Sequence, residues 1–199
     1  PSCGVGKTTV TINLSGILSQ YAIGGKSPLK ILIIDYVPQF NLSQAYLSAA
    51  NYFSIEESKK TTLSVLVDSA TKLNPYTIQV PGNHVPPAVS SLVTSIYPRP
   101  KAKGCLDILP STLDLMYVAL GQATTKTDPI EERFRKFIEE AKSQYDLVLI
   151  DCHPAGSLFT KTSLMNSDHV LIPVMPQKYA IRGIGLMMQF MNAKKIGSS

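Results

Sequence analysis

The chain has 199 residues, 44% hydrophobic and 17% charged, a balance that excludes a disordered tail or a coiled coil and suffices for one domain with a sizeable core. Nineteen Lys and Arg against fourteen Asp and Glu leave a formal charge of +5, which favours a polyanionic partner without requiring one. No apolar run approaches the ~20 residues of a membrane span. Three scattered cysteines, Cys3, Cys105 and Cys152, make neither a metal-spaced pair nor an even disulfide framework, so the expected compartment is a reducing cytoplasm.

The chain opens on Pro1 and enters a glycine-rich loop at once. Cys3-Gly4-Val5-Gly6-Lys7-Thr8-Thr9 ends in the G-K-[ST] signature of a phosphate-binding loop. Gly4 and Gly6 let the backbone approach an anion and turn N–H groups inward. Lys7 supplies a point charge for β- and γ-phosphates, and the Thr8 hydroxyl is a ligand for Mg²⁺. The following segment, 9–22, sets Val10, Leu14, Ile17, Leu18 and Tyr21 at helical spacing and predicts a stripe packed on a core.

Lys30 to Asp35 is a short apolar run ending in a carboxylate, as expected of a strand buried on both faces. Residues 74–104 contain six prolines and no sustained period, and predict an irregular loop or insertion. Cys105 to Pro110 is a weaker strand and Leu113 to Leu120 a helix. The strongest helix is 128–144, with Asp128 as N-cap, Pro129 at the first helical position, and Ile130, Phe134, Phe137, Ile138 and Ala141 on one face. Leu147 to Asp151 is a second apolar run ending in an acid, Val170 to Val174 a third run without one, and Ala180 to Lys194 a last helix. This alternation predicts an α/β fold, a three-layer α/β/α sandwich around a mostly parallel sheet, as a single domain over 1–199.

Five ordered segments carry a family resemblance. Gly4 to Thr9, Ile34-Asp35-Tyr36-Val37-Pro38-Gln39-Phe40-Asn41-Leu42, Leu109-Pro110-Ser111-Thr112-Leu113-Asp114-Leu115, Tyr145 to Pro154, and Asp168 to Val174 with Tyr179 to Gly183 resemble the successive motifs of the ParA/MinD family of deviant Walker-A ATPases, and its ParA branch in particular. The resemblance implies the P-loop NTPase fold and an ATP-dependent homodimer that couples Mg²⁺-dependent ATP hydrolysis to moving plasmids, chromosomes or other cargo. It implies nucleotide contacts at Gly4, Val5, Gly6, Lys7, Thr8 and Thr9, catalytic roles for Lys7 and Asp35, magnesium at Thr8 and Asp151, and adenine near Met175 and Pro176. Its further implications are a ParB-like activator and non-specific DNA as partners, with no membrane. Basic clusters at Lys59-Lys60, Arg99-Lys101-Lys103, Arg133-Arg135-Lys136 and Lys194-Lys195 are the candidate DNA contacts.

The sequence departs from that pattern at three places. Ser2 stands where the family carries its signature lysine, Cys3 where it has the first motif glycine, and Val37 where it has the second acid of its D-x-D switch. Because phosphoryl transfer depends on positioning and charge stabilisation, these losses predict an alternative reading, a nucleotide-binding switch or scaffold with impaired hydrolysis. The resemblance also places a strand ahead of the glycine loop, beside the Asp151 strand, and further elements after residue 199, so the sequence is expected to be incomplete at both ends.

Overall fold

A computed structural model describes residues 6–74, 80–97, 104–120, 127–152 and 158–174, together with 185, 188 and 189. The three runs rich in Ile, Leu and Val form β1 (Lys30–Tyr36), β3 (Cys105–Leu109) and β4 (Leu147–Cys152), and a two-residue β2 (Thr94–Ser95) completes one sheet in the order β2-β3-β1-β4. The pairs of β1 with β3 and of β1 with β4 are parallel, whereas β2 runs antiparallel on β3. The register sets Asp35 opposite Asp151, so both acids end their strands at the same level.

Alternate residues of β1 feed two cores, as the period of two in a strand requires. Ile31 and Ile33 join Leu106, Ile108 and Leu42 on one face, against α1 (Lys7–Gln20) and α2 (Asn41–Tyr46). Leu32, Ile34 and Tyr36 join Val65, Leu66, Phe134 and Phe137 on the other, where α4 (Thr62–Leu66) and α7 (Asp128–Gln144) pack, with α5 (Val89–Leu92), α6 (Leu115–Leu120) and α8 (Leu158–Met165). The Tyr36 and Phe134 rings stack at 4.7 Å across this second layer. The three-layer α/β/α sandwich expected from the alternation is thus the fold observed. α3 (Ala49–Glu57) follows α2 on the route from β1 to α4.

Several local expectations are corrected. The α1 stripe is displaced: Ile17 and Tyr21 are exposed, and the buried residues are Ser15 and Ser19. Small side chains let α1 lie close on its neighbours, with Ser15 Oγ 3.1 Å from the Tyr46 hydroxyl and the Ser19 carbonyl against Gly104. A Cβ at Gly104 would meet Leu29 O at 2.3 Å and Ser19 O at 2.6 Å, so only glycine passes there. The N-cap of α7 is Thr127 rather than Asp128, which begins the helix. Within 80–97, read as irregular, α5 and β2 form, and β2 pairs with β3.

Val170 to Val174 does not form a strand, and Leu171 is 67% exposed. A strand needs a neighbour for its N–H and C=O groups, and among the described residues none lies on the outer edge of β4. A groove of about 540 Å³ runs there instead, between Val10 and Leu14 of α1, the edge of β4, and Leu164 to Pro173.

Arg133 is also corrected. It is 1% exposed, and its five N–H groups are all used. Nε donates to Val65 O, one terminal nitrogen to Asn83 O and Val85 O, and the other to Ser64 O and Val67 O, all between 2.7 and 3.2 Å. It ties the last carbonyls of α4 and the 83–85 stretch to α7, and presents nothing to a polyanion.

Candidate functional site

The site stands at the C-terminal ends of β1 and β4, where α1 begins. Gly6 is the N-cap of α1 and has φ +83°, a left-handed conformation that glycine takes without cost. Its carbonyl accepts from Val10 N at 2.8 Å, which closes the first helical turn. Glycine offers no side-chain cap, so the first amides of α1 and the positive end of its dipole are left for an anion.

The Thr8 hydroxyl donates to Asp151 Oδ2 at 2.7 Å across 143 residues of sequence. Burial is the main effect on Asp151 and raises its pKa, opposed by that hydroxyl and by the charge of Lys7. A hydroxyl and a carboxylate so placed are hard oxygen donors of the kind that hold Mg²⁺ together with phosphate oxygens and water, so the residues present fit that ion. Lys7 is half-buried and lines the groove beside β4, and Thr9 is exposed. The expected contacts at Gly4, Val5, Met175 and Pro176 lie outside the described residues, as do Ser2 and Cys3.

Asp35 is placed differently. It is fully buried, and its carboxylate accepts from Ser43 N at 2.8 Å, Ser43 Oγ at 2.7 Å and Val37 N at 3.3 Å. Burial, assisted by the charge of Asp151 and opposed by the bonds from Ser43 and Val37, pushes its pKa up to about 6. Phe40, the N-cap of α2, gives no side-chain cap and sits at φ +43°, rare for a bulky residue. Asp35 supplies the missing acceptor, because Ser43 N is one of the amides that a helix start leaves unpaired. The Phe40 ring is held against Tyr52 at 5.0 Å. Val37 is buried.

Sequence reasoning missed Ser43 and named Ser111 only within the Leu109 to Leu115 segment, with no role; both are fully buried. The signal available was weak: a serine two residues past Asn41 and another in the turn after β3. His84 pairs with Glu132 at 2.9 Å on the surface, and Lys136 joins the same carboxylate. These two bonds hold the Glu132 pKa down near 2. Among the basic clusters, Lys59 and Lys60 are exposed, whereas Arg99, Lys101, Lys103, Lys194 and Lys195 lie outside the described residues.

The AAA_31 family model, an AAA domain, matches residues 2–196. The sporulation initiation inhibitor protein Soj of Bacillus subtilis is 28% identical over 187 residues, which cover 93% of this chain and 59% of that protein. The chain therefore spans about three fifths of that relative's length. In fold it is similar to a plasmid partition protein of Borrelia burgdorferi B31, BB_S35, solved bound to AMPPNP, with a TM-score of 0.68 and 21% identity over 96% of this chain and 67% of that one. It is also similar to pNOB8 ParA bound to nonspecific DNA, with a TM-score of 0.61 and 21% identity over 94% of this chain and 55% of that one.

Proposed function

The chain belongs to the ParA/MinD family of P-loop ATPases, and from that premise we propose that it binds Mg·ATP where α1 meets β4, hydrolyses it slowly, and cycles as a nucleotide-dependent dimer in a partition system. The observation that carries this reading is the Thr8–Asp151 bond of 2.7 Å at the start of a helix that opens on a left-handed glycine. Lys7 and the free amides of α1 would hold the phosphates, and Thr8 and Asp151 the cation. A cation held by Thr8 and Asp151 would supply positive charge against the charge that develops on the phosphoryl group during transfer. Among the described residues no three His, Cys, Asp or Glu side chains cluster to hold a metal, so ligand oxygens and water would complete its shell.

Calorimetric titration of the natural full-length protein with Mg·AMPPNP tests the reading. Binding in the micromolar range is expected, with loss of more than tenfold in Lys7→Ala. Absence of heat, or no change in that variant, would overturn it. DNA and a ParB-like activator are the proposed partners. Lys59 and Lys60 are exposed cations that fit phosphate contacts, and binding to random-sequence duplex should weaken steeply with salt.

A second reading, a switch that holds nucleotide with impaired hydrolysis, is favoured by one further observation. The Asp35 carboxylate is committed to Ser43 and Val37, and Val37 itself is buried and apolar; neither is free to orient an attacking water. Turnover that stays negligible in the presence of DNA and activator, with tight AMPPNP binding, would select this reading.

A further inference from the structure

The end of β1 carries a closed ring of hydrogen bonds that phosphate binding does not by itself require. Asp35 accepts from the amide and hydroxyl of Ser43; Ser43 Oγ accepts from Ser111 N at 3.0 Å; the Ser111 hydroxyl donates to Val37 O at 2.6 Å; and Val37 N donates back to Asp35. All four residues are buried. Two arms leave the ring. The Tyr52 hydroxyl donates to Ser111 O at 3.1 Å, and the Thr62 hydroxyl donates to Asp35 O at 2.8 Å and Pro110 O at 3.1 Å. α2 is also fastened to α1, because the Tyr46 hydroxyl donates to Ile12 O at 3.1 Å. The short helix that holds Asp35 is thus fastened to the phosphate-loop helix as well.

We infer that Ser43 is a positioning residue of the nucleotide site. It acts through Asp35, and Ser111 passes displacement of that carboxylate to the turn at 110–112. The inference rests on the reading of Thr8 and Asp151 as the Mg·nucleotide site. Asp35 lies opposite Asp151 on adjacent strands, which are ~4.8 Å apart in a sheet, and the two carboxylates repel. A cation at Asp151 relieves that repulsion, and in a buried setting the change in force on Asp35 is weakly screened. A ring whose polar groups are bonded to one another cannot yield one bond without leaving a buried donor or acceptor unpaired. Displacement of Asp35 is therefore shared with Ser43, Ser111 and Val37.

Hydrogen exchange of the full chain, read by mass spectrometry on the peptide spanning 108–115, tests this. In wild type with saturating AMPPNP, replacing EDTA by Mg²⁺ should change exchange at that peptide by about fivefold or more. Ser43→Ala should abolish the response and Ser43→Thr, which keeps the hydroxyl, should restore it. If Ser43→Ala does not fold, Ser111→Ala leaves both Ser43 bonds to Asp35 in place and should lose the response alone. AMPPNP affinity is measured alongside. A wild type that fails to bind AMPPNP overturns the nucleotide reading and this inference with it. Intact binding with the wild-type response in Ser43→Ala or Ser111→Ala, or a Ser43→Thr variant that behaves as Ser43→Ala, overturns this inference alone.

Discussion

Asp35 and Asp151 close neighbouring strands at the same level of one sheet, both are buried, and they differ in what they are bonded to. Asp35 is sealed behind α2 with three donors from its own chain, beside a fully buried β3. Asp151 has one hydroxyl partner and borders a groove along the half-buried β4. Equal positions at strand ends therefore do not imply equal tasks. The Asp35 carboxylate organises backbone, while the Asp151 carboxylate, with a single partner, lines the groove.

The sealed side should be the less forgiving. Gly104→Ala places a Cβ inside backbone atoms that cannot move away singly. It should cost at least ~3 kcal/mol, of the order of severe overpacking, and urea unfolding measures it. A pH series sharpens the contrast next. The folded pKa of Asp35 lies near 6 against an ordinary 3.8, so the unfolded chain ionises first as pH rises. Stability of the nucleotide-free protein should fall between about pH 4 and 6 by about 3 kcal/mol, then level off. Asp35→Asn should remove most of that slope, and a slope unchanged in the variant would contradict the assignment.

Asp35→Ala should cost about 2 kcal/mol at neutral pH, because three buried donors lose their acceptor. The matching change beside the groove, Asp151→Asn, alters a buried acid with one hydroxyl partner; it should cost about 1 kcal/mol in urea unfolding of the nucleotide-free protein, less than Asp35→Ala, yet abolish the Mg²⁺ dependence of AMPPNP binding. Equal costs for the two acids would erase the contrast. Thr8→Ala removes the same hydrogen bond from its half-buried partner and is the smallest expected change, about 0.5 kcal/mol, accompanied by a weaker response to Mg²⁺ in the same titration.

The apolar runs that became β1, β3 and β4 were legible because a strand covered on both faces leaves no place for polar residues. The buried face of α7 was equally plain. Thr8 and Asp151 are legible from motif chemistry, and their contact follows from α1 starting beside the C-terminal end of β4. Helices α2, α3 and α4 were not foreseen, since five to nine residues hold too few turns to display a period. The exposed Ile17 and Tyr21 show that an apolar stripe marks a core only where a neighbour covers it. Arg133 was misread as surface although it falls on the same helical face as Ile130 and Phe137. Position on the helix face outweighs charge here, because five carbonyl partners satisfy the buried guanidinium.

That guanidinium has a bearing on how the polypeptide tolerates editing. Asn83 and Val85 belong to a proline-rich stretch that invites trimming, but deleting them would strip two acceptors from a cation shut away from water and loosen the end of α4 with it. Shortening by protein engineers, or by evolution, would have to spare those two carbonyls or replace the arginine in the same step.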